Sequence, residues 1–292
     1  MTRSDLYFFF WLVLSFGLFW PDLSTLVRDA LAYPHYSHIL AVPGMSVFFI
    51  YGLDRKNIFQ NVRPCLPEGA LLVGLAGGLY WLAQRQSLAS GSTNFSLTIV
   101  SVVLFWMAGF LMVYGRQAFR LAAFPLLLLL LVIPLPEFVL ARVIYALQKG
   151  SADVSYVLFA MVGVPVFRDG FFFTLPGLTI EVAEECSGIR SSTALFILCL
   201  LIGHLFLRSS SRKVALLVSA LPILIFKNAV RIVTISLLSA YVSRDFLTGW
   251  LHQSGGVVFF LLGLAILVPI IRLLEKSESK VGAASPAIVS PC

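Results

Sequence analysis

Long apolar runs, and the small number of charges that interrupt them, limit this chain more than any other feature. The runs fall at residues 6–20, 38–53, 69–83, 95–114, 121–135, 191–207, 214–241 and 255–274. A helix needs about 20 apolar residues to cross a bilayer, within a range of about 17–25. The fourth run and the last two meet that length unaided; the first three need flanking residues such as Tyr33, Tyr36 and Trp81. Of the 292 residues 59% are hydrophobic and 12% are charged, and mean hydropathy is +0.93. Soluble domains carry about 25% charged residues. A soluble globular domain is thereby excluded, and the pattern predicts an all-α polytopic membrane protein of about eight transmembrane helices. No small-residue cleavage site follows the first run, so it is expected to stay as a span rather than leave as a signal peptide.

Basic residues set the expected orientation. They cluster as Arg55, Lys56 and Arg63, then Arg116 and Arg120, then Arg208, Arg212 and Lys213, then Arg272, Lys276 and Lys280. The alternating segments 21–37, 85–94 and 243–251 are poor in them. With eight spans, every basic cluster and both termini fall in the cytoplasm. The net charge of +7 then belongs to cytoplasmic loops and lipid headgroups, and no nucleic acid is called for. A long outer segment, 134–185, lies between the fifth and sixth runs. Its part 138–162 has helical periodicity but holds Arg142, Gln148, Lys149, Ser151 and Asp153, which predicts an interfacial or partly embedded amphipathic helix. A ninth span there would reverse everything that follows and break the basic pattern. Asp169-Gly170 and Pro176-Gly177 are turn dipeptides between strand-favouring residues and predict a small extracytoplasmic β-hairpin or meander.

The most polar stretch between two long apolar regions comes next, "IEVAEECSGIRSS" at 180–192. Cys186 stands where this loop becomes the sixth span, and the positive end of a helix dipole favours a thiolate. An arbitrary cysteine is more often a small buried residue, but such a residue has no need of Glu184, Glu185, Ser187, Gly188 and Arg190 around it. The other cysteines, Cys65, Cys199 and Cys292, match neither a metal motif nor a disulfide framework, and Cys199 reads as core. No metal or organic cofactor is expected. The seventh run, "PILIFKNAVRIVTISLL", contains Lys227, Asn228 and Arg231. A charge well inside a span costs at least about 2.5–3.5 kcal/mol on insertion scales, so it faces protein or water. Asn228 and Arg231, three residues apart, share a helix face. For Lys227, snorkelling or a helix–helix polar contact stands equally beside a functional role. His252 opens the last run.

The expected topology puts Cys186, Arg231 and His252 on one outer side, and the set has a chemical logic. A thiolate attacks a carbonyl, a histidine takes the thiol proton and later protonates the leaving amine, and an arginine stabilises the oxyanion or fixes the substrate. The product is a thioester, open to water or to a second nucleophile. Three readings of Glu181, Glu184 and Glu185 stay open: they orient His252, pair with Arg190 or Arg168, or are solvated charges.

In this order, "EECSGIRSS", "NAVR" and "HQSGG" resemble the exosortase/archaeosortase family of multi-spanning membrane enzymes, over residues 165–274. The resemblance implies that Cys186, Arg231 and His252 are the catalytic set and that Ser187, Gly188, Arg190 and Asn228 hold surrounding motif positions. Glu184, Glu185 and Lys227 are expected in supporting or substrate-binding places. It implies a cysteine protease/transpeptidase of the inner (plasma) membrane. Its substrates would be secreted proteins with a C-terminal sorting signal: a short motif such as Pro-Glu-Pro, one spanning helix and a basic end. Cleavage would pass through a Cys thioester, with transfer to a surface acceptor, often alongside exopolysaccharide systems. The expected organisation is one membrane domain over 1–274, with its catalytic block at 165–274, and a disordered cytoplasmic tail at 275–292. The rival reading is a transporter or polysaccharide-export subunit that holds an anionic substrate with Lys227, Arg231 and the glutamates; a third is a non-catalytic assembly protein.

Overall fold

Helices carry almost the whole chain, as they must where a bilayer offers backbone groups no water. The structure is a computed structural model that describes residues 2–85, 91–247 and 256–283, without the side chains of residues 185, 186, 247 and 279–283. The chain divides into two compact units, Met1–Leu140 and Ala141–Cys292.

The first unit contains α1 (Arg3–Leu18), α2 (Trp20–Ala32), α3 (His38–Val47), the short α4 (Arg55–Ile58), α5 (Leu66–Gln84), α6 (Gly91–Leu121) and α7 (Ala123–Leu128). α6 is its axis: 67% of its most apolar stretch is buried, against 17% for α5. α1 lies along it through paired polar groups and stacked rings. Trp11 Nε1 donates to the Phe105 carbonyl at 2.9 Å, and the two rings stack with centroids 4.4 Å apart. Trp106 Nε1 donates to Ser15 Oγ, and the Tyr114 hydroxyl donates to Asp5 Oδ1 at 3.0 Å. At Gly115 (φ 85°, ψ 176°) α6 leaves helical geometry, and a Cβ there would collide with the Arg63 carbonyl. Beyond that break Arg116 meets Glu68 at 3.6 Å.

Among the described residues, six helices are long and apolar enough to cross a membrane, or up to eight if each of two bent pairs counts as one span. The chain is therefore a multi-pass membrane protein, and two of the eight runs read from the sequence are not straight spans. Run 6–20 ends as α1, and the chain bends by 83° into α2, which Pro21 initiates. Run 121–135 forms α7 and a 3-10 turn, Leu129–Val132, and then bends at a segment holding Pro134 and Pro136 before α8 (Glu137–Met161).

The second unit holds most of α8, a three-stranded antiparallel meander, α9 (Ile189–Phe206), α10 (Ser210–Tyr241) and α11 (Gly256–Ala283). The meander runs β1 (Phe167–Asp169), β2 (Phe172–Leu175), β3 (Leu178–Glu181) in that spatial order, with Phe173 opposite Arg168 and Ile180. Phe173, Leu175 and Val182 pack with Ala152 and Phe159 of α8 and with Ile232 and Val233 of α10. A second apolar cluster joins Leu195 and Cys199 of α9, Leu216, Ala220, Ile223 and Leu224 of α10, and Leu267 of α11. Only 17% of the apolar stretch of α11 is buried, so the rest of it suits lipid.

α10 has two distinct ends. At its start, Glu278 of α11 accepts from the Arg208 amide (3.1 Å), the Ser209 amide (2.6 Å) and Arg212 Nη1 (3.3 Å). Past its other end, Arg244 Nη2 donates to the Gly177 carbonyl between β2 and β3 at 3.2 Å. The basic residues and the meander therefore lie at opposite ends of this helix.

Gly115→Ala is expected to cost about 2 kcal/mol, because its backbone lies in a region essentially reserved for glycine. The apparent unfolding midpoint in detergent should fall by roughly 5 °C at about 2–4 °C per kcal/mol. Gly77→Ala in α5, where nothing lies within 4 Å of the new methyl, should not lower it.

Candidate functional site

The meander hands the chain to a single 3-10 turn, Glu184–Ser187, followed by Gly188 and the first residue of α9. Cys186 thus stands in the turn that opens a spanning helix, as the sequence predicts. Its side chain and that of Glu185 lie outside the described residues, as does His252 altogether.

Gly188 caps α9 in the left-handed conformation (φ 73°, ψ 19°). A Cβ at this position would stand 2.9 Å from Asn228 Oδ1 and 3.1 Å from Asn228 Cγ. Two independent demands therefore select glycine: the backbone angle and the close approach of α10. The Gly188 carbonyl accepts the Ser192 amide at 2.9 Å and the Ser191 hydroxyl at 3.0 Å. Ser187 beside it is buried, and its hydroxyl has no hydrogen-bond partner among the described residues.

α10 supplies the other wall with three successive polar side chains. Lys227 and Asn228 are each 2% exposed, while Arg231 is half-buried. Asn228 Nδ2 donates to Ser151 Oγ of α8 at 3.0 Å, and Lys227 Nζ donates to Ser191 Oγ of α9 at 2.5 Å. Arg231 lies three residues beyond Asn228, one turn further along the same face. The geometry thus brings Gly188, Asn228, Lys227 and the Cys186 turn together, with Arg231 next in the row.

Other sequence-predicted residues fall outside this cluster. Arg190 and Glu184 are exposed, and neither has an ion-pair partner among the described residues. Arg168 pairs with Asp153 of α8 at 2.8 Å rather than with the described glutamates. Sequence reasoning missed the partners on α8 and α9. Ser151 and Ser191 each hold a polar residue of α10, and Gln148 Nε2 donates to the Val182 carbonyl, just before the turn. Their spacing was a usable signal: Gln148, Ser151 and Ser155 recur every three or four residues and are all buried, so they form one polar face of α8 turned toward protein. Arg142 and Lys149 are exposed. A cleft of about 370 Å³, lined by Ala141, Arg142, Tyr145, Gln148 and Glu184, opens beside the turn.

The Asn228–Ser151 link can be measured as a coupling. Asn228→Ala and Ser151→Ala should each lower stability in detergent by about 1–2 kcal/mol, and the double variant should cost about 1 kcal/mol less than their sum. Strict additivity would mean that the two side chains do not interact.

Neither the comparison with curated proteins nor the comparison with solved structures gave a match. The family description "transmembrane exosortase" matches residues 30–269, which include the turn, α9, α10 and most of the membrane-spanning helices before them. The chain belongs to the transmembrane exosortase family.

Proposed function

We propose that this protein is a membrane-embedded cysteine protease/transpeptidase that removes C-terminal sorting signals from secreted proteins, with Cys186 as nucleophile. Membership of the exosortase family supports a protein-sorting transpeptidase in general terms. The observation that carries the residue-level reading is the seating of the Cys186 turn against α10: Asn228 contacts Gly188, and Arg231 follows on the same face. A catalytic thiol needs a fixed backbone and a cation near the developing oxyanion; the seated turn supports the first part of this reading, and the position of Arg231 one turn beyond Asn228 supports the second.

In the proposed reaction the Cys186 sulfur attacks the scissile carbonyl carbon, and His252 takes the thiol proton. The carbonyl π electrons pass to oxygen, where Arg231 balances the charge. The intermediate collapses to a thioester as the C–N bond breaks, and the amine leaves with the proton from His252. A surface acceptor, or water, then gives its proton to His252 as it attacks the thioester carbonyl, the C–S bond breaks, and the released Cys186 thiolate takes that proton back. Asn228, Ser187 and Gly188 shape the turn, and the cleft lined by Arg142, Tyr145 and Glu184 offers room for the peptide that precedes the substrate's membrane helix.

The active site belongs at the outer face of the inner membrane. Arg208, Arg212 and Glu278 mark one end of the helices of the second unit, and the meander marks the other. By the positive-inside rule the basic end is cytoplasmic, as both termini would be. A substrate whose motif lies just outside its spanning helix meets the thiol at that level.

Two measurements test this. A tagged secreted protein ending in a Pro-Glu-Pro motif, one apolar helix and a basic tail should be trimmed in cells with the wild-type protein. It should stay intact, with at least about a hundredfold loss of rate, with Cys186→Ala and with Cys186→Ser. The mass of the new C-terminus separates transfer from hydrolysis; equal trimming by wild type and Cys186→Ala would remove Cys186 from the mechanism. For orientation, a cysteine placed at Asp169 should react with a membrane-impermeant maleimide in intact cells. Labelling only after lysis would reverse the topology.

A further inference from the structure

Lys227 is a buried cation in mid-span that the reaction above does not use. Its stem packs under α11, where a Cβ on Gly263 would stand 3.3 Å from Lys227 Cδ. Its ammonium donates to Ser191 Oγ at 2.5 Å. Ser191 Oγ donates in turn to the Gly188 carbonyl at 3.0 Å. An ammonium has donors and no acceptor, so its bond to Ser191 occupies a lone pair and leaves the serine proton to point at Gly188. The Ser192 amide takes the second lone pair of that carbonyl, at 2.9 Å. Both acceptor positions of Gly188 are then filled, and the peptide plane that joins the Cys186 turn to α9 is fixed. Asn228 closes the same glycine at its α-carbon.

We propose that Lys227 is a positioning residue: through Ser191 it fixes the Gly188 carbonyl and so holds the Cys186 turn in its reacting geometry at the start of α9. The inference rests on the reading of Cys186 as nucleophile. A neutral donor would make the same contact without the cost of burying a charge. The ammonium makes a charge-assisted bond roughly twice as strong, which suits a link that must hold its direction.

The test uses full-length protein in membranes with Cys65, Cys199 and Cys292 replaced by alanine, and follows the rate of Cys186 alkylation by iodoacetamide against pH. A thiol held at a helix N-terminus has a lowered pKa, so a loosened turn moves the profile upward. Ser191→Ala, which keeps the lysine charge, should shift the profile by about one pH unit and slow alkylation about tenfold at neutral pH. Lys227→Met should do at least as much. Ser191→Thr, which keeps the hydroxyl, should restore the wild-type profile, and Ser191→Ala with Lys227→Met should be no worse than Lys227→Met alone. A wild-type profile for Ser191→Ala overturns the proposal. So does loss of folded protein shared by Ser191→Thr, which makes the link merely structural. Processing of the tagged substrate by Cys186→Ala, measured alongside, decides the nucleophile separately, because alkylation needs no substrate.

Discussion

Polar groups inside a bilayer must find their partners within the protein, and the second unit is built around that demand as it falls on α10. Lys227, Asn228 and Arg231 occupy one turn of a 32-residue helix whose other buried residues are mostly apolar. Each of the first two reaches a serine on a different neighbour, Ser191 on α9 and Ser151 on α8. The hydrogen bonds therefore do what interdigitated apolar side chains alone do poorly: they fix the register of three helices relative to one another. Apolar surfaces slide with small change in energy where lipid is as apolar as leucine, whereas a misplaced amide or ammonium loses its partner outright.

That register determines where the Cys186 turn sits. Gly188 is caught between a helix cap that needs a positive φ and an Asn228 side chain that leaves no room for a methyl group. The turn on its other side is tied through Val182 to Gln148 of α8 and through β3 to β2. Both flanks of a short polar turn are thereby anchored to α8 and α10, while the turn itself stays at the head of α9. Gly115 in the first unit solves a different problem with the same residue: it breaks α6 where the chain at Arg63 crosses too closely for any side chain.

The class of fold and the position of the Cys186 turn were legible because hydrophobic run length and turn dipeptides act locally. The helix over Glu137–Met161, the three-stranded meander and the Cys186 turn at the head of α9 all follow from such signals. The bends at Phe19 and at Pro134–Pro136 were not read. Run length measures hydrophobicity and not direction, and a proline beside an apolar run marks either an end or a kink. The pairing of Lys227 with Ser191 was also out of reach, since 36 residues separate them and a serine in an apolar helix commonly bonds its own backbone. Arg168 illustrates the opposite case: proximity in sequence suggested the hairpin glutamates, and tertiary packing gave it Asp153.

The same packing bears on whether the polar row of α10 moves solutes or supports chemistry. A transport site needs its polar groups to face a water-filled path at some stage, with the ligand replacing protein partners. Lys227 and Asn228 are each 2% exposed, and their partners belong to two different helices, α9 and α8. Freeing either one for a solute would pull α10 away from α8 or α9 and dismantle the cap at Gly188. A rigid, buried polar row is poorly suited to a path that opens and closes. It is better suited to holding the turn at the head of α9 still, and half-buried Arg231 is the most exposed member of the row.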